Sequence, residues 1–199
     1  MQILEGATNL AVAENVIPLC ELAKGLEEAG EFEQAVDTLR PFWTSLSERP
    51  NTTRLKPQAK AELLLRSGAL TGWLGSAKQL TGSQDLAKDL ISESATLFSQ
   101  LGMVEKTAEA HVDLAICYWR EGGLDEARIT LKHVLETLGS QESEQRLRAL
   151  LNIAIIEKVA ARDLEALRIY KEAAPLFDRS TNHARKGKFH NSYATLWKS

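Results

Sequence analysis

The chain has 199 residues, of which 44% are hydrophobic and 26% are charged, so it is long enough and apolar enough to bury a sizeable core. Its 24 Lys and Arg residues against 27 Asp and Glu residues give a formal net charge of -3 at pH 7, so no overall attraction to nucleic acid or anionic membranes is expected. No apolar run approaches the roughly 20 residues that span a bilayer, and the N-terminal stretch lacks the basic start of a signal peptide.

Helical periodicity runs through the chain, because apolar residues recur at three- and four-residue steps and strand-like alternation is nearly absent. The first helix is predicted to begin at Val16, after Asn15 as its N-cap, and to end before Gly30, which tolerates the left-handed geometry of a helix end. The stretch RPNTTRLKP at 49–57 predicts a loop, and Pro57 suits the first turn of the helix that follows.

The helix predicted after this loop carries Gly68, Gly72 and Gly75 on one face. Glycine inside a helix costs roughly 1 kcal/mol relative to alanine, so three glycines on one face indicate a close backbone contact. A tightly packed neighbouring helix is one explanation, and a floor where a ligand approaches the backbone is the other. A phosphate-binding loop is excluded, because no Gly-Lys-Ser or Gly-Lys-Thr follows and no strand precedes.

Further helix starts are predicted at Ser83 and Ser140, each directly after a glycine, and a turn is predicted at Gly122. The core face of the helix before that turn is predicted to comprise Ala108, His111, Val112, Ala115, Ile116 and Tyr118. The run LLNIAII at 150–156 is apolar nearly all round, so its helix is expected to be covered on two sides. The chain is therefore expected to form nine or ten helices, paired by short turns.

One pattern occurs more than once. LAKGLEEAGEFEQAVDTL at 22–39 and LAICYWREGGLDEARITL at 114–131 share a large residue followed by Ala, a later Gly, and a turn that leads into a second Ala. Small residues let two helices approach, and large residues fill the space around these contacts, so both sets are expected to be buried. The second-helix set is Ala35, Ala87, Ala127 and Ala166 with Leu39, Ile91, Leu131 and Tyr170, and the first-helix set is Ala23, Ala115 and Ala154 with Leu22, Leu114 and Ile153.

This pattern resembles the tetratricopeptide repeat (TPR) family, whose signature is matched best by His111, Leu114, Ala115, Tyr118, Ala127 and Leu131. The resemblance implies an all-α fold, a right-handed α-solenoid of antiparallel helix hairpins with about 4.5 repeats over residues 16–199, after a lead-in segment at 1–15. A spacing of about 40 residues, against roughly 34 in the family signature, indicates a long-period variant of bacterial type. The C-terminal repeat has no second helix, so the chain is expected to be truncated from a longer protein.

In such arrays the first helices of successive repeats line a concave groove. The predicted partner-binding groove consists of Leu65, Trp73, Val112, Ile116, Trp119, Arg120, Arg148, Leu151, Ile155 and Lys158, with Lys24, Glu27, Glu62 and Glu109 at further inner positions. Because adjacent helix positions are about 100° apart, Trp119 is expected in the groove and Tyr118 in the core. An apolar groove rimmed by Arg and Lys suits an amphipathic helix, although the same residues could instead pack between repeats. The family's carboxylate clamp is not expected, because Val112 and Ile116 stand where its first Lys and Asn would be.

The C-terminal stretch 183–198 combines basic and aromatic residues. Its cations are Arg185, Lys186, Lys188 and Lys198, and its aromatic residues are Phe189, Tyr193 and Trp197. Such a mixture can bind nucleic acid, but the aromatic residues fit the core positions of a half-repeat, so nucleic acid is not expected as a partner. Their apolar edge is instead expected to drive homo-oligomer formation through the terminal helix.

No catalytic, metal or cofactor motif accompanies this architecture. His111 and His190 occupy packing positions, and the carboxylates lie on predicted solvent faces. Cys20 and Cys117 belong to no Cys-x-x-Cys motif and are expected to be buried free thiols in a reducing cytoplasm. We expect a cytoplasmic, non-catalytic protein–protein interaction scaffold without a cofactor, which binds a peptide or an amphipathic helix and no membrane. The alternative is a ligand- or peptide-sensing regulatory domain of a bacterial transcription or signalling protein.

Overall fold

The computed structural model describes residues 15–195. Over this range it contains nine helices and no strand. The helices are α1 (Val16–Glu28), α2 (Phe32–Thr38), α3 (Pro57–Ala77), α4 (Ser83–Gln100), α5 (Val104–Arg120), α6 (Leu124–Leu138), α7 (Glu144–Val159), α8 (Asp163–Arg179) and α9 (His183–Ala194). The all-α fold is confirmed over these residues. The contacts between successive helices pair α1 with α2 and α3 with α4, and, further along the chain, α7 with α8 and α8 with α9.

The chain forms two compact units, Met1–Cys117 and Tyr118–Ser199, and the division falls within α5. The helix starts predicted in the first unit are confirmed: α1 begins at Val16, α3 at Pro57 and α4 at Ser83. The start predicted at Ser140 is wrong, because α7 begins at Glu144, where the Ser143 side chain accepts a hydrogen bond from the Arg146 backbone N–H.

In the first unit, the middle of α3, residues 61–68, is buried all round because the helix contributes to two apolar clusters. Leu63 and Leu70 pack in the cluster that contains Ala23 of α1 and Ala35 of α2. On another face, Leu65 packs in the cluster that contains residues of α4 and α5. A helix covered in this way needs apolar residues all round, which the sequence LLLRSGAL supplies.

The glycine stripe of α3 lies against α4 and Cys117. A Cβ atom added to Gly68 would lie 2.7 Å from Ile91 Cγ1, and one added to Gly75 would lie 2.3 Å from Ser83 Cβ. The corresponding atom at Gly72 would be 3.1 Å from Cys117 Sγ. The packed-helix explanation of the stripe therefore accounts for all three glycines.

A connector without helix, residues 39–56, joins α2 to α3. Trp43 of this connector is only 1% exposed, and it packs with Leu39 in the cluster that contains α1 residues. Its indole Nε1–H donates a hydrogen bond of 2.9 Å to the carbonyl oxygen of Glu48. Trp43 thus adds a large buried aromatic side chain to the core that α1, α2 and α3 share.

In the second unit, large aromatic residues hold α8 and α9 together. Phe177 of α8 and Phe189 of α9 are fully buried, with stacked rings whose centroids lie 4.0 Å apart. Tyr170 is also fully buried and stacks on Tyr193, with ring centroids 5.3 Å apart. These contacts fix the rotation of α9 about its axis, and with it the direction of the polar residues on that helix.

The repeat pattern predicts burial well at small residues and less well at the large first-helix residues. All seven predicted alanines, and all four large residues of the second-helix set, are fully buried. Of the first-helix set, Ile153 is buried and Leu114 is half-buried. Leu22 is 56% exposed, so the prediction for that residue is wrong; the neighbouring Ala23 faces the core instead.

Candidate functional site

The first helices of the first unit carry an ion-pair network around Arg66. The buried guanidinium of Arg66 on α3 donates a hydrogen bond to Glu27 Oε2 on α1 at 2.5 Å and another to Glu109 Oε1 on α5 at 2.9 Å. Burial alone would lower the pKa of Arg66, but the charges of Glu27, Asp113 and Glu109 raise it well above its usual range. The guanidinium is therefore permanently charged and fully engaged.

Two lysines complete this network at its edge. Lys24 Nζ lies 2.8 Å from Glu109 Oε1, and Lys106 Nζ lies 2.8 Å from Glu62 Oε1. Burial acts to lower the pKa of Lys106, but Glu109 and the hydrogen bond to Glu62 raise it. Each half-buried cation here therefore has a carboxylate supplied by the fold.

This network brings Lys24, Glu27, Glu62 and Glu109 together through Arg66 and Lys106. It also corrects the expectation that carboxylates occupy solvent faces. The buried carboxylates are Glu62, Glu109 and Asp113 in the first unit and Glu157 in the second. Glu157 Oε1 accepts a hydrogen bond of 2.5 Å from Arg128 Nε, so a cation on a neighbouring helix compensates its burial as well.

The groove residues predicted in the first unit do not form one surface. Leu65 and Val112 are completely buried, with 0% exposure each, so no partner can contact them. For these two residues the groove prediction is wrong. Trp73 is 41% exposed and packs against Phe32 of α2, with ring centroids 4.9 Å apart. Ile116 is half-buried. The missed signal is the all-round apolar pattern of α3, which leaves that helix little free face.

More of the groove residues predicted in the second unit reach the surface. Trp119, Arg120, Arg148, Ile155 and Lys158 are half-buried. Leu151 is 4% exposed, so its prediction as a contact residue is wrong. The helix that carries it is covered on two sides, as the run LLNIAII predicts, and Leu151 lies on a covered side. Lys158 donates a hydrogen bond to Thr195 Oγ1. Tyr118, predicted as core, is half-buried as well, so burial does not distinguish it from Trp119.

Four cations come together in the second unit, and we name them the basic cluster: Arg120, Arg148, Arg185 and Lys188. They lie on α5, α7 and α9, the first helices of consecutive repeats. The side chain of Lys188 reaches solvent, but partial burial and the charges of Arg185, Arg148 and Arg120 lower its pKa. Sequence reasoning assigned two of these residues to the groove and two to the tail, and did not connect them.

The terminal aromatic residues correct the expected oligomer surface. Phe189 is fully buried and Tyr193 is half-buried on Tyr170, so neither forms an open apolar edge. Trp197, the third residue of that prediction, lies outside the described residues. His190, predicted as a packing residue, is exposed, and its Nε2 lies 3.4 Å from Asp178 Oδ1. His111 is half-buried.

Both cysteines are buried free thiols, as predicted. Burial and the nearby charge of Glu62 raise the pKa of the Cys20 thiol to about 12, so at neutral pH it is protonated and a poor nucleophile. Within residues 15–195, no three His, Cys, Asp or Glu side chains are grouped so as to hold a metal ion. Over the same range, none of the helices has the length and apolar character needed to cross a bilayer.

No protein-family model matches the sequence, and no curated protein matches it either. Solved structures do match. A kinesin light chain-like protein from Podosopora anserina with nearly identical TPR-like repeats aligns with 94% of this chain and 87% of its own length, at 14% identity and a TM-score of 0.61. BtubC (BKLC) from P. vanneervenii aligns with 99% of this chain and 77% of its own length, at 16% identity and a TM-score of 0.62. The chain therefore has the TPR-like helical-repeat fold.

Proposed function

We propose that this chain is a non-catalytic protein-interaction module, which holds a peptide or an amphipathic helix against first-helix residues of the second unit. The main support is a contrast in burial. The alanines that anchor the repeat are fully buried, whereas Trp119, Ile155 and Lys158 on the first helices retain solvent-accessible surface. A partly exposed Trp is typical of the anchor residues of protein interfaces.

The absence of catalysis is part of this proposal. Its support is that the buried ionisable groups neutralise one another: Arg66 is paired with Glu27 and Glu109, and Glu157 with Arg128. Catalytic sites instead hold titratable groups whose pKa values are tuned toward the working pH. Cytoplasmic location, bacterial origin and a repeat period of about 40 residues stay predictions from the sequence.

A selection from a phage-displayed library of random peptides tests the proposal. Peptides enriched on the wild-type protein are measured against Trp119→Ala and against the matched control Ile129→Ala, which removes a 67% exposed apolar side chain from α6. Loss of an aromatic anchor costs at least about 2 kcal/mol, so Trp119→Ala is expected to weaken binding roughly 30-fold. The control is expected to bind like the wild type.

Two results contradict the proposal. One is that no peptide is enriched on the folded protein. The other is that the enriched peptides bind Trp119→Ala as well as they bind the wild type, while thermal melts show that both variants are folded.

A further inference from the structure

Trp73 and Phe32 form a small aromatic surface in the first unit, which we name the aromatic patch. The ring of Phe32, in the first turn of α2, lies 4.9 Å from the ring of Trp73 on α3, measured between ring centroids. Within residues 15–195, Trp73 is the one exposed aromatic side chain, at 41%. Because tryptophan is enriched at protein interfaces, this ring is where a partner contact is expected first in that unit.

The fold itself positions the two rings of the patch. Phe32 packs against the buried cluster that contains Ala35 and Leu39. Lys78, the residue that follows α3, has its Nζ 3.3 Å from Glu33 Oε1 on α2, so a contact also joins the two helices beside the patch. A surface that is formed before binding loses less conformational entropy when a ligand packs on it.

The helices around the patch are acidic. Residues 15–38, which include α1 and α2, contain six Asp and Glu and a single lysine, Lys24. Arg40, Arg66 and Lys78 each pair with one of the six carboxylates, which leaves a formal excess of carboxylates over cations. The first unit as a whole contains 10 Lys and Arg against 16 Asp and Glu. The carbonyl end of α3, one turn beyond the indole, favours positive charge as well.

We infer that the aromatic patch is the docking site for an arginine- and lysine-containing segment of a protein partner. This site is additional to the surface of the second unit proposed above. An arginine of the partner can stack on the indole of Trp73, because a cation and the face of an aromatic ring attract each other. The exposed carboxylate of Glu31, directly before Phe32, can then accept hydrogen bonds from a neighbouring cation of the partner. Anionic partners such as nucleic acid are disfavoured by the acidic excess.

Fluorescence anisotropy with a labelled peptide of alternating arginine and leucine residues tests the inference. The matched peptide has every arginine replaced by glutamine. The arginine peptide is expected to bind at least about tenfold more tightly than its neutral match, and its affinity is expected to fall as salt is raised from about 50 to about 300 mM.

Trp73→Leu keeps an apolar side chain but removes the aromatic face, so it is expected to weaken binding of the arginine peptide about fivefold. Its control is Leu164→Ala, which shortens an 86% exposed apolar side chain on α8. Glu31→Gln is expected to weaken binding about threefold and to reduce its dependence on salt. The control Glu136→Gln removes the same charge from an exposed position on α6. Both controls are expected to bind like the wild type.

A readout on the wild-type protein does not depend on how well the variants fold. The indole N–H signal of Trp73 is identified in NMR spectra by its absence from Trp73→Leu. It is expected to shift more than the other indole signals when the arginine peptide is added, because the cation lies on that ring.

Equal binding of the arginine and glutamine peptides overturns the inference, and so does an equal effect of Glu31→Gln and Glu136→Gln. Saturation with the arginine peptide while the Trp73 signal stays in place overturns it as well. If the display selection yields Trp119-dependent peptides while the arginine peptide does not bind, this inference fails and the proposed function stands.

Discussion

Arg66 is buried between the carboxylates of Glu27 on α1 and Glu109 on α5. Removing its charge takes away the ion pair that it forms with the buried Glu109. Breaking a buried ion pair on one side costs about 3–5 kcal/mol, because the remaining charge stays desolvated. We expect Arg66→Met to lower the free energy of unfolding by about this amount, measured by urea denaturation.

The matched control for this change is Arg40→Met. Arg40 pairs with Asp37 at 2.8 Å, but both side chains are mostly exposed. Such surface pairs contribute at most about 1 kcal/mol, so the control is expected to change stability little. A loss no larger for Arg66→Met than for Arg40→Met would mean that Lys24 and Lys106 compensate Glu109 sufficiently.

Lys188 gives a prediction about pH. Its pKa in the folded protein lies below the ordinary value of 10.5, so at pH 7 its charge disfavours folding. We expect Lys188→Met to raise the melting temperature at pH 7. The difference in melting temperature from the wild type should shrink as the pH rises toward 10.5, because wild-type Lys188 then loses its proton and with it the unfavourable charge. Melts of Lys171→Met supply the comparison, and a variant that is less stable at pH 7 than the wild type would contradict the prediction.

At the residue scale, the sequence predicts packing better than charge pairing. Alanines such as Ala35 and Ala127 are recognisable because their repeat spacing is visible along the chain. The burial of Glu109 is not recognisable, because its partner Arg66 lies 43 residues away and nothing local distinguishes it from a solvent-facing glutamate. A local sequence pattern predicts which face of a helix is apolar, but it does not predict which charged side chains of other helices lie against that face.

Helix α3 allows a test of close packing with glycine substitutions. A Cβ atom at Gly75 would lie 2.3 Å from Ser83 Cβ, so Gly75→Ala requires the two helices to move apart. Overpacking of this kind costs about 1–3 kcal/mol. Gly25 of α1 has no atom within 4 Å of the added Cβ, so there the better helix propensity of alanine should stabilise the protein by about 0.5–1 kcal/mol. Opposite signs in urea denaturation confirm the packing, and equal signs contradict it.

The connector between α2 and α3 depends on Trp43. We expect Trp43→Ala to cost about 3–5 kcal/mol, because a fully buried aromatic side chain is lost. Trp43→Phe keeps an aromatic ring in the core and loses the hydrogen bond to the Glu48 carbonyl oxygen. The lost hydrogen bond alone should lower the free energy of unfolding by about 1 kcal/mol. Trp73→Ala, at a 41% exposed position, is the comparison in thermal melts. A similar loss of melting temperature for Trp73→Ala and Trp43→Ala would contradict the prediction, because the buried Trp43 would then stabilise the fold no more than a partly exposed tryptophan does.

At the element scale, helix starts and turns follow from local chemistry, whereas the connector does not. Pro57 and Ser83 begin helices where the sequence predicts them, because a fixed φ angle and a preceding left-handed glycine act within a few residues. The end of α2 at Thr38 and the burial of Trp43 have no such signal. They depend on packing between Trp43 and residues of α1 and α3 that are not its neighbours in the sequence.

At the scale of the whole chain, the helical-repeat fold is predictable because one pattern repeats, and errors at single residues such as Leu22 do not alter it. The candidate site is less predictable. Positions on a first helix can be assigned by repeat spacing, but accessibility depends on what covers each helix. This is why Leu65 and Leu151 are buried while Arg148, at an equivalent kind of position, retains accessible surface.

Repeat proteins gain stability mainly from contacts between neighbouring repeats, so damage should spread locally. Phe177→Ala removes a fully buried ring that stacks on Phe189 and should cost about 3–5 kcal/mol. We expect hydrogen exchange measured by mass spectrometry to accelerate most in α8 and α9, and least in helices α1 to α4 of the other unit. Ile129→Ala, at a 67% exposed position on α6, should leave exchange unchanged. Equal acceleration in α1 and α9 would show that the chain opens as a single cooperative unit, since local opening would leave the helices of the other unit protected.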